Sequence, residues 1–485
     1  MPSSRSRRRA VGAAMAAMAL TGCTVGPDFQ RPALPSTPGY GAVADAPADA
    51  RVRIGGEVAQ AWWQAFRSPT LDALMRQALV DNPTLQSADA SLAEARAQLA
   101  AARGRQLPQA DLSAGVEQER LNFATLGFNA AALPGFSNNP QISIYSVGAT
   151  VSYALDVFGE QRRGVESARA EAEARSHQLD AAYLTLTGQI ATQAALIAAL
   201  NAEIGQVDAI LDNDKHDIAL VRSAQRAGGV AEEARVNASA QIAADAALLP
   251  PLEQQRAEAR HMLTLLMGQA PGAYAPPDFT LAALPLPADV PISVPSALVR
   301  QRPDILQAEA ELHAATAEIG VETAKLYPNI NLTAALTQSA LQPQNIFDWP
   351  ATAYTLGAGL TQPLYHGGQV KAQRRAAVET ARARAADYQE TVLDAFRQVA
   401  DLLDALAHDR AAIAAQTHTL STAQASLNLD QTAYRLGGQG LLPVVDAQRQ
   451  VNAAALHLTQ AQAALYLHTV QLFVATGRGW DTPKS

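Results

Sequence analysis

Covalent or metal chemistry needs a nucleophile, an acid–base pair or a ligand cluster at fixed spacing, and this chain offers none of them. Its nine histidines are scattered, and no two form the His-x-x-x-His pair that holds zinc on one helix face. Asp212, Asp214 and Asp217 have the opening rhythm of a calcium loop. The glycine at the sixth position and the glutamate at the twelfth, which such a loop requires, are missing. There is no Gly-x-Ser-x-Gly elbow and no P-loop. Gly437-Gly438-Gln439-Gly440 is turn chemistry, and His366 beside Gly367-Gly368 reads as a junction residue, not a ligand. Cys23 is the single cysteine, which excludes an internal disulfide framework. The sequence therefore reads as no enzyme, with no metal and no bound cofactor.

What the chain is built for shows in its periodicity. From Glu160 to Arg226 there is no proline, and apolar residues fall seven apart at Tyr183, Ile190, Ile197, Ile204, Leu211 and Ile218. A second line reads Leu179, Leu186, Leu200, Val207 and Val221. Such an a/d seam makes a long helix supercoil against neighbours. At about 1.5 Å per residue it is roughly 100 Å long. Gly367 to Arg435 repeats the design, with Ala385, Val392, Val399, Leu406, Ile413, Leu420, Leu427 and Tyr434 on its line. Each rod ends in a Gly-Gly turn, Gly228-Gly229 or Gly437-Gly438, so the chain is two tandem copies of one unit.

Ahead of each rod the period falls to two. Ala110, Leu112, Ala114 and Val116 alternate with polar or small residues, as do Val147 to Leu155, Ile330 to Leu336 and Tyr354 to Leu360. These four strands have the alternation of a transmembrane β-barrel wall. A soluble half-buried sheet shows the same pattern segment by segment. A sheet in lipid must close on itself, and barrels begin at about eight strands. Two or three chains must then share one barrel. The fold class is mainly α with a membrane β part. The segments are a signal peptide at 1–22, a leader at 23–69, and a first repeat at 70–268. This repeat holds strands near 109–121 and 143–157, a long helix at 160–226 and a return helix at 230–267. A proline-rich linker follows at 269–295. The second repeat, 296–476, holds strands near 329–340 and 353–364 and helices at 367–435 and 440–475, and a tail closes at 477–485. Thr70 is the expected N-cap of the first helix, and Asn82-Pro83 should bend or restart it. Trp62-Trp63 is expected to pack against the helices.

The composition fits a membrane-associated protein without helical spans. The chain is 48% hydrophobic, yet lacks the long apolar runs of a polytopic helical protein. Its formal charge of −8 argues against a nucleic-acid partner, which requires a basic face. Arg5, Arg7, Arg8 and Arg9 precede an apolar run and then Leu20-Thr21-Gly22-Cys23. This resembles a bacterial lipobox, which implies a covalent lipid on Cys23 and a tether that does not span the membrane. Thr24 after it resembles an outer-membrane sorting signal.

Val25-Gly26-Pro27-Asp28-Phe29-Gln30-Arg31-Pro32, Trp62-Trp63-Gln64-Ala65-Phe66 and, above all, Arg302-Pro303-Asp304-Ile305 carry a family resemblance. With the double repeat they resemble the TolC-like outer-membrane efflux lipoproteins of the OprM/NodT type across nearly all of residues 23–476. The resemblance implies a homotrimer with one twelve-stranded barrel and a long α-helical barrel. It further implies a periplasmic adaptor and an inner-membrane RND-type transporter as partners, and passage of small molecules through a gated duct in the outer membrane of a Gram-negative bacterium. A duct for protein secretion, or a lipid-anchored scaffold without a pore, would use the same anchor and rods. In the resemblance, Leu442 and Asp446 fall at an apolar and an acidic constriction ring. Three leucines could form a dry plug, and three carboxylates could draw cations. Pro443 stands where some members carry a second acid, leaving one acidic ring. Gly228, Gly229, Gly437, Gly438 and Leu441 are the corresponding hairpin-tip or adaptor contacts.

Overall fold

The computed structural model describes residues 24–33, 40, 52–54, 59–122, 139–287, 290–292 and 295–478. Cys23 and the signal segment lie outside the described residues. The chain divides into two compact units, the first comprising residues 1–32, 93–173 and 309–386 and the second the remainder.

The first unit is organised by a four-stranded antiparallel sheet. Strands β2 (Gln109–Arg120), β3 (Gln141–Leu155), β5 (Asn329–Ala340) and β6 (Thr352–Thr361) pair in that order. Residues directly opposite share a face, and the register puts like with like. Leu112, Ala149, Leu336 and Tyr354 form one row, and Val151, Ala334 and Leu356 the next. The opposite face carries Asp111, Thr150, Ala335 and Thr355 in one row and Ser113, Gly148, Thr337 and Ala353 in another. The apolar face is uncovered, with Leu112, Leu356 and Tyr354 all exposed. Strands β2 and β6 each keep one edge without a strand partner among the described residues. Strand β6 ends at Thr361, short of the expected 364, because Pro363 has no N–H to give a ladder. In the same unit, residues 24–31 lie along the start of α3 (Glu160–Arg226) and along α6 (Pro303–Ala324). The Val25 N–H donates to the Phe158 carbonyl at 3.1 Å, and Phe29 stacks on His313 at 4.5 Å.

The second unit holds most of the helical mass. Helix α3 contains one stretch long and apolar enough to cross a membrane, but half of it is buried within the protein. Its seam residues Leu186, Ile190, Ile197 and Val207 are core, as are Val392, Val399 and Leu406 of α7 (Gln369–Arg435). The apolar period is thus spent on helix packing. Trp62, Trp63 and Phe66 are buried, and Trp62 stacks on Phe473 of α8 (Leu441–Thr476) at 5.5 Å.

Several expectations need correction. The first helix, α1 (Pro69–Asp81), is capped by Ser68 and not Thr70. Pro69 sits at the first helical position, where its missing N–H costs nothing, and the Leu71 N–H donates to Ser68 Oγ at 3.4 Å. The return helix at 230–267 is two helices, α4 (Glu232–Ala246) and α5 (Leu249–Leu266). Pro250 and Pro251 fit only in a first turn, so a new helix starts there. Leader and linker each contain a short strand. They supply β1 (Val52–Ile54) and β4 (Val290–Ile292), which pair in parallel. Asn82 ends α1 and opens α2 (Pro83–Gly104). Its Oδ1 accepts from the Thr84 and Leu85 N–H groups, and its buried Nδ2 donates to the Leu266 carbonyl at 2.9 Å. Asn82→Ala should therefore cost about 1–2 kcal/mol, the usual loss for a cap, read as a lower denaturation midpoint by circular dichroism.

Candidate functional site

The two rods end in the same chemistry. At the first tip the Gly228 N–H donates to the Gln225 carbonyl at 2.9 Å and the Gly229 N–H to Ala224 at 2.8 Å. At the second, Gly437 donates to Tyr434 at 3.0 Å and Gly438 to Ala433 at 2.8 Å. Both are Schellman turns, and Gly228 and Gly437 each have φ of 74°, a conformation that favours glycine. The turns satisfy the last carbonyls of α3 and α7 and reverse the chain in few residues.

The turn at Gly437-Gly438 delivers the chain into α8 at Leu441. Leu441 is buried, so its side chain holds the hairpin and offers no surface. Val444, Ala447 and Val451 bury the same stripe against Ala423 and Leu427 of α7. That packing sets the rotation of α8 and turns the intervening residues outward. Leu442 is 50% exposed. Asp446 is 59% exposed at its side chain, with Arg449 at 3.5 Å and the Gln450 amide donating to it at 3.1 Å. One turn apart on the same helix, these two side chains present an apolar group and a carboxylate side by side.

Behind them lies a cavity of about 410 Å³, lined by Asp214 and Asp217 of α3, Glu233 of α4, and Leu442, Asp446 and Arg449 of α8. The Asp212, Asp214 and Asp217 triplet does not converge on a point. Asp212 pairs outward with Lys215 at 2.8 Å, while Asp214 is only 5% exposed. Burial, then the neighbouring Asp245 carboxyl of α4, push Asp214 up to about 7. Burial pushes Asp217 up to about 6 against the pull of His216. The sequence marked the triplet only to exclude a calcium loop and passed over Asp245, which lies 31 residues away and joins it only through the hairpin. Among the described residues, no group of three or more His, Cys, Asp or Glu side chains could hold a metal ion.

The model of the family described as outer membrane efflux protein matches residues 74–269 and 294–478, one match to each repeat. The chain belongs to this family. It is 29% identical over 423 residues to the pyoverdine export outer membrane protein OpmQ of Pseudomonas aeruginosa, covering 87% of this chain and 88% of that protein. It is 28% identical over 487 residues to nodulation protein T of Rhizobium leguminosarum bv. viciae, covering 98% and 94%. The outer-membrane channel OprN superposes with a TM-score of 0.83 at 28% identity, covering 94% of this chain and 100% of that one. The Campylobacter jejuni CmeC outer membrane channel shares the fold, with a TM-score of 0.83 at 18% identity over 95% and 96% of the two chains. This efflux protein is accordingly an outer-membrane channel component of a tripartite efflux pump.

Proposed function

We propose that three copies of this chain close one twelve-stranded barrel and form a gated exit duct for small molecules. The observation that carries this reading is the sheet with one uncovered apolar face and two edges without a strand partner among the described residues. A spanning sheet has to close. Two copies would make an eight-stranded barrel, whose interior side chains just fill. Three copies leave a lumen. Leu442 and Asp446 form the gate, one apolar and one acidic ring around the axis. The glycine tips meet a periplasmic adaptor that links the duct to an RND-type inner-membrane transporter. The relatives named for export of pyoverdine and for efflux of toluene support a small-molecule cargo. A covalent lipid on Cys23 tethers the mature chain to the outer membrane. The channel family and the missing catalytic constellations support a role without chemistry.

The test is single-channel conductance in a planar bilayer. Wild type should give small, mostly closed currents, and Leu442→Ala with Asp446→Ala should give large, steady ones. Equal, large currents from both would move the gate elsewhere. No current from either folded protein would sink the duct.

A further inference from the structure

The cavity behind Leu442 and Asp446 contains a buried acid that the duct reading does not use. No donor among the described residues reaches Asp214 Oδ2. A carboxylate left in that state is costly, so the site must hold a proton or open to water. From α4, Asp245 faces it, itself held by the Gln241 amide at 2.8 Å. From α3, Asp217 adds a like charge, and His216 acts on Asp217. From α8, Arg449 is the opposing cation, but it also lies 3.5 Å from Asp446. Glu233 lines the cavity as well. Next to Asp214, the Asn213 amide donates to Asn452 of α8 at 3.0 Å, and Asn452 is buried. The acid pair therefore sits where α3, α4 and the start of α8 meet.

We propose that the Asp214–Asp245 carboxyl pair is a proton-operated latch that fastens the first helical hairpin to α8, the helix bearing Leu442 and Asp446. With one proton, Asp214 donates to the Asp245 carboxylate and the three helices stay packed. When the proton leaves, two carboxylates share one buried space. Relief comes from drawing Arg449 off Asp446 or from admitting water into the cavity, and either loosens the first turns of α8. The sign follows from linkage. The carboxyl of Asp214 is raised in the packed state, so packing weakens as pH climbs from the ordinary carboxyl range to about 7 and changes little above it. A single proton can change the packed-to-loosened ratio by at most about tenfold per pH unit.

The latch can be read without any current, so its failure is separate from failure of the duct. Amide hydrogen exchange, corrected for the intrinsic effect of pH, is measured at pH 6, 7 and 8 on the full-length protein in detergent. Exchange over Glu232–Ala246 and residues 441–452 should rise by up to about fivefold between pH 6 and 7 and by less than about twofold between pH 7 and 8, while residues 186–197 in the core of α3 stay protected. In Asp214→Asn with Asp245→Asn, two amides keep a hydrogen bond without titrating, and the step between pH 6 and 7 should shrink to the less than about twofold that Asp217 supplies. In Asp245→Asn alone, Asp214 gains a donor and loses a like charge, and the step should move to lower pH. Asp446→Ala should keep it. A step that survives undiminished in the double asparagine variant overturns the latch, as does a step lost in Asp446→Ala or a wild type without one.

Discussion

Arg302→Met should lower the stability of this protein by about 2–4 kcal/mol, although methionine keeps the packing of the arginine stem. The guanidinium is buried and makes three kinds of contact. Nη2 and Nε meet the two Asp304 carboxylate oxygens at 2.6 and 3.0 Å, both Nη atoms reach Gln398 Oε1 at 3.2 Å, and Nη1 donates to the Ala475 carbonyl at 2.9 Å. The last contact matters most. Ala475 lies in the final turn of α8, where carbonyls have no partner of their own and the helix end is negative. Arg302 thus ties together the start of α6, the middle of α7 and the end of α8. Methionine strands a buried carbonyl and removes a cation from that helix end. Arg302→Lys should lose part of the same stability, since a point charge cannot bridge carboxylate, amide and carbonyl together. Scanning calorimetry at one fixed rate ranks the three proteins. Equal midpoints for wild type and Arg302→Met would remove Arg302 from the hub.

This hub shows why some of the structure was legible in the sequence. Arg302-Pro303-Asp304 is contiguous, and three of its demands are local: a cation, a helix-starting proline and a first-turn acid. The long seams were legible for a similar reason, because periodicity repeated over nine or so turns cannot be accidental. Strand faces followed from strict alternation, and the register pairs apolar with apolar in the middle of the sheet, while Ile144 and Ile142 at one end of β3 stand opposite Glu117 and Glu119. The failures have the opposite character. The break at Pro250-Pro251 was missed because an apolar pattern running through it masked the proline signal. Strand β1 was missed because its only partner, β4, lies more than 230 residues away. In the candidate site, Leu442 and Asp446 could be named from a motif. That Leu441 is buried while Leu442 faces out depends on the rotation of α8, which the turn at Gly437-Gly438 and the stripe from Val444 to Val451 set. Asp214 and Asp245 needed the hairpin itself.

Arg163 gave no signal at all in the sequence, and its removal should free the segment that follows Cys23. Arg163 is buried with its charge satisfied from two sides. It bonds Asp28 at 2.6 Å and Glu166 at 2.7 Å, and it donates to the Val25 carbonyl at 3.3 Å. Its stem lies over Gly320, where an added Cβ would stand 2.7 Å from Arg163 Cγ. The backbone of Gly26 rests on the same glycine, since a Cβ at Gly26 would come within 2.5 Å of Gly320 Cα. Phe29 on His313 and Arg31 with Glu309 at 2.6 Å extend the contact along α6. The exposed ion pair contributes little by itself. The buried guanidinium is different, because it bonds Asp28 and Val25 of the leader and Glu166 of α3 at once. Arg163→Ala should cost the docked leader about 2–3 kcal/mol, the loss expected for hydrogen bonds to a buried charge. Opening the leader would then become roughly thirtyfold to 150-fold more frequent. The amide of Val25, bonded to Phe158 in the docked form, should exchange faster by that factor, while amides in the centre of β3 stay unchanged. Glu166→Gln removes a charge but keeps an acceptor for Arg163, so it should show a much smaller effect. If Val25 exchanges at the wild-type rate in Arg163→Ala, the aromatic and glycine contacts hold the leader without the arginine, and the clamp lies in Gly26, Phe29 and Gly320 instead.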